Sequence, residues 1–158
     1  MTEARVQRVD ALLRRRQPDL TVLMERVHKP HNFAAVLRTC DAVGVLRAHA
    51  VTAPGEPLPI SPQTAQGAQK WVPVSRHTES VPAIDSLREQ GFALIAAHLS
   101  ANARPFRGVD YTRPTAVVLG TERFGLTPDA AAQVDACVEI PMLGMTRSLN
   151  VSVAAAVI

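Results

Sequence analysis

Cysteine is almost missing from this chain. Cys40 and Cys137 stand far apart with no Cys-x-x-Cys spacing, so neither a disulfide framework nor a thiolate metal cluster is expected. No apolar run approaches the ~20 residues needed to cross a bilayer. The start, Met1-Thr-Glu-Ala-Arg-Val6, carries an acid and none of the apolar stretch of a signal peptide, so a soluble, cytoplasmic protein is expected. Gly-x-Gly-x-x-Gly, Walker A and His-Glu-x-x-His patterns are also lacking, which weighs against dinucleotide, nucleoside triphosphate and zinc-protease chemistry. The five histidines include one close pair, His28 and His31, and that pair flanks Lys29-Pro30; no metal site is expected.

What is present fits one domain, residues 1–158: 47% hydrophobic and 20% charged residues are the balance of a globular protein. The net charge of +3 is unevenly spread. Residues 1–50 hold nine Lys/Arg against five Asp/Glu, while the remainder holds eight against nine. A basic end suits contact with phosphates, because bound cations release counterions; a solvated helix face would look the same.

Periodicity predicts the elements. Val6, Val9, Leu12 and Leu13 recur at helical spacing among Arg5, Arg8, Arg14, Arg15 and Arg16, predicting a basic amphipathic helix within residues 1–18, ended by Gln17-Pro18. Leu20 to Val27 is expected as a buried strand. Asn32 is expected to cap a helix carrying Phe33, Val36, Leu37, Cys40 and Val43, with Gly44 as its stop. Further strands are predicted at 49–52, 71–74, 92–99, 115–119 and 137–140. Helices are predicted from Ser80 toward Gly91, from the Thr127-Pro128 cap to Val134, and over 149–158. Residues 53–70 and 100–114 are expected as loops, the first with one short helix. Alternating strands and helices make this an α/β protein with a mostly parallel sheet. The chain stops inside an apolar helical pattern, 153–158, suggesting that the last helix continues in a longer polypeptide.

In such sheets ligands sit beyond the carboxyl ends of the strands, and three loops there carry candidate chemistry. The first runs His28-Lys-Pro-His-Asn-Phe-Ala-Ala-Val-Leu-Arg38, where Asn32 is a helix cap or a binding group and Arg38 a surface charge or a catalytic one. The second, Leu119-Gly-Thr-Glu122-Arg-Phe-Gly125, sets two glycines around an acid, where a ligand or another backbone can approach closely. The third, Ile140-Pro-Met-Leu-Gly-Met145 through Ser148-Leu-Asn150, joins a strand to a helix; Met142 and Met145 offer soft apolar surface and Ser148 is a candidate cap.

In this order, the segments Arg16-Gln-Pro-Asp-Leu20, Val27-His-Lys-Pro-His-Asn32, Arg38-Thr-Cys-Asp-Ala-Val-Gly44, Ile140-Pro-Met-Leu-Gly-Met145 and Ser148-Leu-Asn-Val-Ser-Val153 resemble the motifs of SPOUT-class RNA methyltransferases of the SpoU/TrmH family. The resemblance runs from about Arg5 to Ile158. It implies a deep trefoil knot and cofactor region over 115–158, a homodimer with sites at the subunit interface, and S-adenosyl-L-methionine as cofactor. The implied reaction is methylation of a ribose 2′-hydroxyl in tRNA, guanosine 18 of the D-loop. By the same resemblance Arg38, Asn32, Glu122, Ser148 and Asn150 are catalytic, and Ala97, Gly120, Ile140, Met142 and Leu149 contact the cofactor. Arg8, Arg15, Arg16, His31 and Arg38 meet RNA. Alternatives are a ribosomal RNA or tRNA anticodon-loop substrate, and a non-catalytic RNA-binding module. A nicotinamide-dependent dehydrogenase is disfavoured by the missing glycine fingerprint.

Overall fold

The computed structural model describes residues 2–121 and 123–158. The framework is a seven-stranded sheet: β1 (Leu20–Glu25), β2 (Ala48–Val51), β3 (Val74–His77), β4 (Ala93–Ala97), β5 (Arg104–Pro105), β6 (Thr115–Leu119) and β7 (Ala136–Glu139). Their order is β3-β2-β1-β6-β4-β7-β5, and every pairing is parallel. The helices are α1 (Glu3–Leu13), α2 (Pro30–Ala42), α3 (Pro62–Ala65), α4 (Ser80–Glu89), α5 (Pro128–Gln133) and α6 (Val151–Val157).

A parallel sheet needs both faces covered, and side-chain alternation along the central strands supplies two cores. Val22 and Met24 of β1 with Val117 and Leu119 of β6 pack under Phe33, Val36 and Leu37 of α2 and Val151 of α6. Leu23, Ala116 and Val118, one residue out of phase, pack with Leu94 of β4 under Ile84 and Leu87 of α4 and Ala130 of α5. Burying each of these large side chains contributes ~1.5–3 kcal/mol.

Several expectations need correction. Pro30 opens α2 at its first turn, so Lys29 is the cap position and Asn32 lies inside the helix, buried. Val43 lies past the end of α2 and is half exposed, while Gly44 takes the left-handed φ of +82° that ends the helix. Residues 71–73 are not strand; pairing starts only at Val74 and runs to His77. Trp71 closes a 3-10 turn over Ala68–Lys70, and Pro73, which has no N–H for a ladder, holds pairing off until Val74 meets Ala48. The predicted loop 100–114 contains the short edge strand β5 and a 3-10 turn, Phe106–Gly108. Asn150, not Ser148, caps α6: its Oδ1 accepts from Ser152 N at 2.9 Å. The N-terminal helix is present, yet none of its residues is buried, and Val6, Leu12 and Leu13 stay exposed. Thr127 caps α5 as expected, its hydroxyl accepting from Ala130 N.

Candidate active site

The loops leaving β4, β6 and β7 converge at the carboxyl edge of the sheet around a cleft of about 320 Å³. β6 lies between β1 and β4, so the loop that follows it emerges at the centre of the sheet. The loop turns back at once: Thr121 and Gly125 exchange backbone hydrogen bonds of 2.9 and 2.8 Å. This fold-back requires glycine. A Cβ on Gly120 would sit 2.2 Å from the carbonyl carbon of Gly125, and one on Gly125 would sit 2.5 Å from the His98 ring. Gly125 also has φ of +68°.

All five cofactor candidates line this one cleft: Ala97 from the end of β4, Gly120 from the end of β6, Ile140 and Met142 beyond β7, and Leu149 before α6. Ser148 lines it too. Asn150 stands beside it at the start of α6, whose Val151 lines the wall. Its Nδ2 donates to Asn32 Oδ1 at 3.1 Å, joining the first and third loops across the fold. The Asn32 amide nitrogen is buried with no hydrogen-bond partner among the described residues, a costly state for a donor unless a ligand completes it. Glu122 lies outside the described residues.

Arg38 is not in the cleft. It lies on the exposed side of α2, its guanidinium reaching the Thr64 carbonyl at 3.5 Å. Met145 is fully exposed, so of the two methionines in the third loop only Met142 lines the cavity. Arg8, Arg15 and His31 are exposed. Arg16 instead holds Asp41 at 2.7 Å and the Val45 carbonyl at 3.0 Å, with just 9% of its side chain exposed, and so braces α2 against the segment after α1.

Sequence reasoning missed several wall residues, among them His98, Arg123, Phe124 and Arg147. It also missed Glu25. This carboxylate ends the buried strand β1, is 0% exposed, and accepts from Ser80 Oγ at 2.6 Å, Thr127 Oγ1 at 2.6 Å and Thr127 N at 3.0 Å. An acid closing an apolar strand is the one visible sequence signal, since burial demands donors. Elsewhere, His49 and His77 meet at 3.1 Å on β2 and β3. Burial, then the neighbouring His77 and Arg47, push the His49 imidazole down to about 4. Burial pushes the Cys40 thiol up to about 12. Among the described residues no group of three His, Cys, Asp or Glu could hold a metal ion, and no helix is long and apolar enough to cross a membrane.

A parallel α/β sheet whose strand-end loops close on one cleft, with two close-packed glycines in its wall, is the arrangement of α/β proteins that bind a ligand beyond the carboxyl ends of their strands. The chain belongs to the SpoU rRNA Methylase family, whose model matches residues 19–158. It is 56% identical over 157 residues to the tRNA (guanosine(18)-2'-O)-methyltransferase of Thermus thermophilus, covering 99% of this chain and 80% of that protein. The crystal structure of the Aquifex aeolicus TrmH/SpoU tRNA modifying enzyme superposes with a TM-score of 0.91 at 41% identity, over 98% of this chain and 79% of that one. The AdoMet-bound rRNA methyltransferase from Sinorhizobium meliloti gives a TM-score of 0.74 at 27% identity, over 90% of this chain and 58% of that one.

Proposed function

We propose that this chain transfers a methyl group from S-adenosyl-L-methionine to the ribose 2′-hydroxyl of guanosine 18 in the D-loop of tRNA. The observation that carries this is the convergence of Ala97, Gly120, Ile140, Met142 and Leu149 on one cleft, and the Thermus relative bears the same activity in its name. The cleft suits the cofactor. Its volume falls within the ~300–1,000 Å³ of small-molecule pockets, its walls offer apolar surface to a purine, and backbone at Gly120 and Gly125 can approach closely. The Sinorhizobium protein was solved with AdoMet bound.

When bound, S-adenosyl-L-methionine supplies a methyl group already activated by its sulfonium, so the protein's work is positioning, dehydration and proton handling. Ser148 and the hydrogen-bonded Asn150–Asn32 pair shape the substrate side, and the family resemblance assigns a hydrogen-bonding role there to the acid Glu122. The Arg38 guanidinium offers five N–H donors and no acceptor, so it is a poor base. It acts instead as a fork that grips an RNA phosphate and stabilises the developing alkoxide, with the hydroxyl proton passing to that phosphate. Because the exposed Arg38 does not line the cleft of its own chain, the scheme sets it against the cleft of a second copy, in a homodimer. Exposed Arg8 and Arg15 of the basic N-terminal segment, braced by Arg16, and exposed His31 at the start of α2 complete the RNA surface.

The same family reading makes residues 1–158 one domain, with a basic N-terminal helix (1–18) and a trefoil knot over 115–158, in a cytoplasmic enzyme. The return of the chain from β7 past β4 and β6 to lay α6 on α2 supports the knot. Incubating total tRNA and ribosomal RNA with labelled methyl donor and mapping the labelled nucleotide tests the function. Label at guanosine 18 is expected. Label in an anticodon loop or in ribosomal RNA would reassign the substrate, and tRNA binding with no incorporation would make the chain a non-catalytic RNA-binding module.

A further inference from the structure

The loop after β6 forms one wall of the cleft, and its exit is fastened from both sides by side chains at the ends of the two flanking strands. On the β4 side, His98 Nδ1 accepts from Leu126 N at 3.4 Å, and its ring packs where a Cβ on Gly125 would stand. On the β1 side, Glu25 accepts both the amide and the hydroxyl of Thr127. The Thr127 hydroxyl also accepts from Ala130 N, so one residue closes the loop, caps α5 and meets the acid. The carboxylate is fully buried, and none of the hydrogen bonds or ion pairs found among the described residues gives it a cation. Three donors on two helix-starting segments hold it instead, near the positive ends of α4 and α5.

We propose that Glu25 is a positioning residue for methyl-donor binding: through Thr127 it fixes the exit of the 120–127 loop, and hence the wall that Gly120, Thr121 and Gly125 present to the cofactor. This rests on the cleft being the S-adenosyl-L-methionine site. Glu25 touches no part of the cleft itself. It is needed because Gly120 and Gly125 make the loop permissive as well as close-packed, and only a fixed exit holds the fold-back in one conformation.

The design of the test lies in Glu25 having two kinds of partner. Ser80 binds the same carboxylate from α4 and has no part in the loop, so Ser80→Ala perturbs Glu25 without unfastening the wall, whereas Thr127→Val unfastens it. Both variants should lose thermal stability. Calorimetry with S-adenosyl-L-methionine should give Thr127→Val a Kd raised about tenfold, Ser80→Ala one within about twofold of wild type, and Thr127→Ser, which keeps the hydroxyl, one near wild type. tRNA affinity by gel shift should be unchanged in all three. Glu25→Gln should weaken cofactor binding as Thr127→Val does; if it does not fold, the Thr127 and Ser80 variants decide. Equal cofactor affinity in Thr127→Val and Ser80→Ala, in either direction, overturns the positioning role. Wild-type protein that binds no S-adenosyl-L-methionine refutes the proposed function instead.

Discussion

Gly120→Ala is the sharpest test of how the cleft is built. Gly120 needs no left-handed backbone, so alanine brings no conformational penalty there, and the effect is purely steric. Its Cβ would lie 2.2 Å from Gly125 C, 2.3 Å from Gly125 O and 2.4 Å from Leu126 N. All three are backbone atoms, so no side chain can swing aside. Ordinary contact begins near 3.4 Å, and the returning strand must therefore move by roughly 1 Å. That movement strains or breaks the two Thr121–Gly125 hydrogen bonds, each worth ~0.5–1.5 kcal/mol net, on top of ~1–3 kcal/mol for overpacking. The expected loss is about 2–6 kcal/mol, which for a chain of this size lowers Tm by roughly 2–4 °C per kcal/mol. The same displacement moves one wall of the cleft, so S-adenosyl-L-methionine affinity should drop at least tenfold by calorimetry. A Gly120→Ala protein with wild-type Tm and cofactor Kd would refute the fold-back as the element that shapes the site.

Other outcomes follow from the geometry. Arg38→Lys keeps the charge but loses the fork, and single-turnover methylation should slow about a hundredfold; near-normal rates across pH would exclude a bidentate role. Asn150→Ala removes the α6 cap, worth ~1 kcal/mol, and strands the buried Asn32 carbonyl oxygen, costing another ~1–3 kcal/mol. Cofactor affinity should fall with stability, and full retention by calorimetry would detach Asn150 from the site. The lowered pKa of His49 means that the unfolded chain binds the proton more tightly than the native one. Stability contributed by neutral His49 is therefore intact above about pH 6.5 and lost as pH falls toward about 4, with an upper limit of ~3 kcal/mol. Urea melts of His49→Asn should show a flatter decline over that window, and an unchanged slope would contradict the assignment.

Much of the fold was legible because two periodicities in the sequence have single physical causes. The run Thr115–Leu119 is buried at every position, and apolar from Ala116 onward, since both faces of a parallel strand are covered, and Ile84 and Leu87 share one helical face over it. Thr127-Pro128 announced α5 because a hydroxyl and a fixed φ are what a helix start needs. Boundaries failed where tertiary pairing overrode local pattern. Trp71 and Val72 read as strand by composition, yet β3 begins only where Val74 can pair with Ala48. Asn32 read as a cap, but it stands inside α2, where Asn150 reaches it from 118 residues away.

The amino-acid order alone determined which chemistry the chain can bring to its strand ends: an asparagine, an arginine and close-packing glycines at three loops, in a sequence that resembles one family. It could not determine which of those groups share a cavity. Ala97, Gly120 and Ile140 meet because β4, β6 and β7 end on the same edge. Arg38 does not join them, because its place on α2 leaves it exposed and outside the cleft lining. Glu25 acquires its role only when residues 55 and 102 positions distant bring it hydrogen-bond donors. Burial makes such long-range partners obligatory, and a linear pattern carries no record of what will be folded over it.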